Sequence, residues 1–126
     1  MNKSGLYNFG LLLLRVAFGG MMLIFHGFPK LQNLLSNNLE FTDPIGIGAP
    51  ASLVLAIVAE MVFPIMIILG FKTRWSVIPV ILTMAVAAFV FHANDPFASK
   101  ELSILYMIGF IVIGLLGPGK FSLDKK

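Results

Sequence analysis

Four apolar stretches, separated by short polar or Gly- and Pro-rich segments, make up most of this chain. They cover about residues 9–28, 51–70, 75–92 and 102–117. Each comes near the roughly 20 residues, with ~17 as a lower bound, that a helix needs to cross the hydrocarbon core of a bilayer. The fourth is the shortest and gains a turn if Ser99 caps it. The pattern predicts an all-α integral membrane protein, a four-transmembrane-helix bundle in a single domain. The segment 71–74 is a tight turn, so spans two and three form an antiparallel hairpin. Asp95-Pro96 marks the turn before the fourth span. The connection 29–50 is long. Its first part, KLQNLLSNNL, suits a short helix lying at the membrane interface, and its second, TDPIGIGAP, is irregular. Ordered loops of this length are often functional. Lys3 followed by an apolar run resembles a signal peptide. The run is too long for a signal-peptide core and no A-x-A site follows it, so it is read as a retained first span.

Composition supports lipid as the solvent. Charged residues make up 12% of the chain and hydrophobic ones 58%. Soluble domains carry about 25% charged residues, enough to cover a water-facing surface. There is no cysteine, which excludes disulfides, thiol redox chemistry and thiolate metal ligands. The net charge of +3 is a matter of topology rather than of nucleic-acid binding. Lys3, Lys72, Arg74, Lys120, Lys125 and Lys126 fall on one side of the predicted spans, and only Lys30 and Lys100 on the other. Both termini are therefore expected in the cytoplasm, with loops 29–50 and 93–101 outside.

The polar exceptions inside the spans carry the candidate chemistry. Glu60 sits near the middle of AIVAEMVFPIMIILG, where an ionised side chain costs about 2.5–3.5 kcal/mol. At about 1.5 Å rise per residue, Arg15 lies within about one turn of its depth, which predicts an Arg15–Glu60 ion pair. Pro64, four residues after Glu60, lacks the N–H that the Glu60 carbonyl needs, so a bend and a free acceptor are expected there. Arg15, Gly19, Met22 and His26 share one helical stripe, and Gly19 and Gly20 suit close helix approach. His92 ends the third span on a face with Ala85, Ala88 and Phe89. The expected picture is a polar track from Arg15 and Glu60 up to His26 and His92, a proton relay opening outward. Glu60 falls about three turns deeper than the histidines, so no shared metal site is expected. Lys30 reads as a snorkelling anchor and Trp75 as an interfacial belt residue.

RVAFGGMMLIFHGFPKL in span one, with Arg15, His26, Gly27, Lys30 and Leu31, resembles the DoxX family of small four-helix membrane proteins. AEMVFPIMIILGFKTRW, with Glu60, Gly70 and Arg74, and then His92, continue the resemblance, which runs from Leu14 to about Gly117. It implies a bacterial inner-membrane protein that partners oxidoreductase systems handling quinones, sulfur compounds or thiol stress. It carries Arg15, His26, Glu60 and His92 over as the polar core. Three function classes follow. The leading one is a membrane subunit of a redox system at the quinone pool, served by a redox partner protein. In it Glu60, Arg15, His26 and His92 form the catalytic core, and His26, His92 and Met22 contact a quinone, the cofactor expected. No flavin, haem or cluster motif supplies electrons from this chain. The second is a small proton-coupled transporter, and the third a structural or assembly protein. Four short helices also leave lateral surface for a homo-oligomer.

Overall fold

The computed structural model describes residues 2–39, 41 and 43–124. Lys125 and Lys126, which entered the charge reading, and Thr42 of the Gly- and Pro-rich segment lie outside the described residues. The described residues form four helical rods and no strand: α1 (Lys3–Leu35), α2 (Ala49–Leu69), α3 (Thr73–Phe91) and α4 (Phe97–Leu116). All four are long and apolar enough to span a membrane.

α1 starts where Asn2 accepts the Gly5 N–H through its side chain at 2.7 Å, an N-cap. It then runs through Pro29 for 33 residues, so Lys30–Leu35 continues the rod and forms no separate interfacial helix. A π-helical turn, Leu23–Gly27, makes this possible. There Phe28 donates to the carbonyl of Leu23, five residues back, and Pro29 follows at once. The wider turn takes up a ring that would clash with a regular α-helical carbonyl. α2 repeats the device. Val58–Val62 is a π turn, Phe63 donates to Val58, and Pro64 comes next, so the rod continues to Leu69. A third π turn, Ala87–Phe91, ends α3.

α2 stops at Gly70, whose φ of 70° is left-handed. Phe71 donates to Met66 and Gly70 to Ile67, which satisfies two of the last carbonyls. α1 packs on α2 and α4, and α3 packs on the same two, giving a square up-and-down bundle. Lipid tails are as apolar as these side chains, so close packing and polar contacts hold the helices together. The core of Met22, Ile67, Val77, Val80, Met84, Tyr106, Phe110 and Ile113 fills the bundle up to the cavity, which Met84 and Tyr106 also line. Phe18 lies edge-on to Tyr106 and Phe110 within it. The segment after α4 folds across the end that carries both termini. Leu123 donates to Leu69, Asp124 to Gly70, and Lys120 to the Asn8 side chain. The Asp124 carboxylate accepts the Lys72 and Thr73 amides at 2.8 and 2.9 Å, capping α3. In the other half the bundle opens into a cavity of about 720 Å³.

Candidate functional site

The cavity gathers some of the expected polar residues and leaves others out. Glu60 lines it from the π turn of α2, His26 from the π turn of α1, and His92 from just past the π turn of α3. π turns break the regular side-chain register and often mark functional sites. Here three of them converge on one space.

Glu60 is buried and paired, but with Lys30 rather than with Arg15. Lys30 Nζ donates to Glu60 Oε1 at 2.8 Å and lies 3.4 Å from the His26 carbonyl. The Lys30 side chain is only a quarter exposed, so it reaches inward to the acid instead of snorkelling out. Two facts explain the difference. The unbroken α1 rod carries Lys30 along the wall of α2. Gly27 also sits directly on the backbone of α2, where an added Cβ would lie 2.3 Å from the Glu60 carbonyl oxygen. That contact puts His26, Gly27 and Glu60 at one level, not three turns apart.

Arg15 belongs to the closed half. It is fully buried, and its guanidinium donates to the carbonyls of Ile67 and Ile68 at 3.3 and 3.0 Å and to that of Phe121. Arg15 is level with the last turn of α2, because Gly27 is seated at Glu60 and the twelve residues down to Arg15 outrun the nine from Glu60 to Leu69. The last carbonyls of a helix lack internal partners and form the negative end of its dipole. They are the acceptors at Arg15's own height. The Arg15–Glu60 ion pair is therefore replaced by an arginine clamp that ties α1, α2 and the C-terminal segment together. Gly70 lies against it, with an added Cβ only 2.5 Å from Arg15 Nη1. Gly19 does meet α2 closely, whereas Gly20 faces open space. Met22, expected as a ligand contact, is fully buried in the core and does not line the cavity.

Two further residues complete the polar wall. Tyr106 of α4 lines the cavity, and the His26 ring stands edge-on to it with centroids 5.1 Å apart. Among the described residues neither the His26 ring nor the Tyr106 hydroxyl has a hydrogen-bond partner. Ser99, Ser103 and Tyr106 all line the cavity at a spacing of three to four residues, a polar stripe visible in the sequence. His92 stands at the mouth, with Nδ1 2.8 Å from Asp95 Oδ2. Phe41, Pro44 and Ile45 of the loop before α2 also line the mouth. That loop is shaped by Asp43, which accepts the Ser52 hydroxyl at 2.7 Å and the Gly48 and Ile47 amides at 2.7 and 3.0 Å. The Ser52 hydroxyl, and then the Gly48 amide, hold the Asp43 carboxyl below its ordinary range.

Among known proteins, the family model for DoxX matches residues 10–93. The match covers Arg15, His26, Lys30, Glu60 and His92 and stops before α4, so Tyr106 lies outside it. The inner membrane protein YphA of Escherichia coli is 28% identical, with both chains covered completely. An uncharacterized protein of Haemophilus influenzae is 29% identical over 70 residues, which are 52% of this chain and 46% of that one. No solved structure matches. The family match takes in well over half of the sequence, most of the first apolar rod and all of the second and third, and the relative that matches end to end is an inner membrane protein. The chain thus belongs to the DoxX family and is a multi-pass protein of the bacterial inner membrane.

Proposed function

We propose that this protein is a membrane subunit of, or accessory to, an oxidoreductase system that works at the quinone pool. One observation carries the reading. The cavity joins apolar walls to a small polar group, the Glu60–Lys30 pair with His26 and Tyr106. Ligand sites commonly span about 300–1,000 Å³ and combine apolar lining with a few placed polar atoms. A quinone ring is flat and apolar, with carbonyls that accept hydrogen bonds. Lys30 Nζ, the His26 ring and the Tyr106 hydroxyl are donors suited to those carbonyls. A bound quinone supplies the electron-accepting chemistry, and a redox partner supplies the electrons. The chain's own residues bind and orient the ring, and Glu60 beside Lys30 holds a proton for it.

The test is mass spectrometry of small molecules and proteins that remain with gently extracted protein, for wild type and Glu60→Gln in parallel. A quinone kept by wild type and lost from the variant is the expected result. No ligand in either sample, with the same partner proteins, would replace this reading by a structural or assembly role. A proton-coupled carrier draws on the same buried acid, but an acid already paired with Lys30 is a poor cation site. Proton release on substrate addition to proteoliposomes separates it from the redox reading.

The orientation is part of the proposal. The end with both termini carries Lys3, Lys72, Arg74 and Lys120, and the cavity end Lys30 and Lys100. Both termini are placed in the cytoplasm and the cavity mouth outside. In this cysteine-free chain, Asn38→Cys should react with an impermeant thiol reagent from outside and Lys72→Cys only from inside. The reverse pattern would invert the topology.

A further inference from the structure

The cavity has a side wall that is not closed. Below it, α2 meets α3 through the turn Val58–Val62 and the helix beyond. Above that turn, Ala49–Ile57 leans on Phe28–Leu35 of α1 instead. On the far side of the bundle the His26–Tyr106 ring contact bridges α1 and α4. The α2–α3 side has no such bridge among the described residues. Leu55 and Val58 of α2 and Leu82 of α3 line the cavity, yet they stay 54%, 37% and 61% exposed. A side chain that both lines a cavity and faces the exterior marks the rim of an opening.

The depth of this rim decides what it faces. Leu82 lies nine residues into α3, and Glu60 nine residues before the end of α2 at the same side of the bundle. At about 1.5 Å per residue both stand roughly 14 Å from that end, near the middle of a hydrocarbon core about 30 Å thick. The rim carries only aliphatic side chains, as a surface in contact with acyl chains should.

We infer that the cavity is reached sideways from the bilayer, between α2 and α3, and that its ligand carries an apolar tail left in the lipid while a hydrogen-bonding head rests beside Lys30–Glu60. This rests on the quinone reading above and narrows it to long-tailed molecules. A tail that remains among acyl chains needs no room inside the cavity. A water-soluble ring without a tail gains nothing from the side opening and uses the mouth at His92.

The test uses protein in nanodiscs and two probes with the same ring, a quinone with a long isoprenoid tail and its tail-less analogue. The rim is narrowed by Val58→Trp with Leu82→Trp, and thermal melting checks that the variant is folded. The expected result is a loss of about tenfold or more in affinity for the tailed probe, with the tail-less probe changed by less than about threefold. A tailed probe with a photoreactive group in its tail should also label Leu55 or Leu82 in wild type. If both probes keep wild-type affinity in the narrowed variant, or both lose it equally, the side opening is not the route. If the tail-less probe binds wild type and the tailed one does not, the quinone reading stands and the lateral route falls. If neither binds wild type, the quinone reading falls and takes the lateral route with it.

Discussion

The two halves of this bundle use buried charge in opposite ways. In the half that carries the termini, Arg15 is fully buried and its partners are backbone carbonyls: Ile67, Ile68 and Phe121. Nothing in that contact can titrate near neutral pH, since a guanidinium stays protonated and carbonyls do not ionise. It is a clamp, and the core around it is packed. In the other half, Glu60 and Lys30 are both ionisable, one is buried, the other is a quarter exposed, and a cavity adjoins them. That arrangement puts a titratable acid beside an open space, which under the proposed function holds the ligand. On the proposed function, the comparison gives one charged site a stabilising role and the other the chemistry, though in the sequence both are intramembrane charges.

Arg15→Leu should have the largest effect on stability, about 3–5 kcal/mol, because it takes the Arg15 donor from the Ile68 and Phe121 carbonyls and frees the C-terminal segment. Denaturation in detergent measures it. Ligand affinity in the fraction that remains folded should change little, and a selective loss of binding would move Arg15 into the functional half. Next comes the cavity pair. Lys30→Met leaves Glu60 buried without its partner and should cost about 2–4 kcal/mol, whereas Lys30→Met with Glu60→Leu should cost clearly less. Additive losses in the double-mutant cycle would mean that the pair is not coupled. Gly27→Ala follows at about 1–3 kcal/mol, since its Cβ would press on the Glu60 backbone rather than on a yielding side chain. It should also separate α1 from α2 at the site and lower ligand affinity more than Arg15→Leu does.

The smallest effect is expected at Asp43, and it depends on pH. Its carboxyl is held below its ordinary range by Ser52 and the loop amides. A lowered carboxyl contributes its full stabilisation above its ordinary, unfolded-state range and loses it as pH falls through the lowered folded-state value. Protection of the Ile47 and Gly48 amides, taken relative to the intrinsic exchange rate at each pH, should therefore be full at neutral pH and fall as the pH drops through the lowered Asp43 value. Asp43→Ala should show low protection of these two amides at every pH, while the backbone amides of the closed half keep theirs.

Much of the site was legible in the residues, and the errors share one cause. Glu60, His26 and His92 stood out as polar interruptions of apolar runs, and all three line the cavity. The apolar pattern puts span one at about residues 9–28, and depth counted on those limits pairs Glu60 with Arg15. The real rod begins at Lys3 and passes through the proline. With Gly27 seated at Glu60, the twelve residues from Gly27 down to Arg15 outrun the nine from Glu60 to Leu69, so Arg15 meets the last turn of α2, and the continued rod brings Lys30 to Glu60. Tyr106 does not interrupt an apolar run as a charge does, although the stripe Ser99, Ser103 and Tyr106 has helical spacing. A polar stripe on one helix does not say which neighbour it faces.

The sequence by itself determined the class of this protein. Long apolar runs with few charges leave only helices in lipid, because every backbone N–H and C=O must be satisfied within its own segment. The same runs flagged an acid that cannot be left alone there. What only the tertiary structure decided is how the rods stand against one another in height. Helix register depends on where each rod begins, on π turns that take up Pro29 and Pro64, and on a glycine that seats one backbone on another. Those long-range contacts give Glu60 its lysine and give Arg15 the end of a helix.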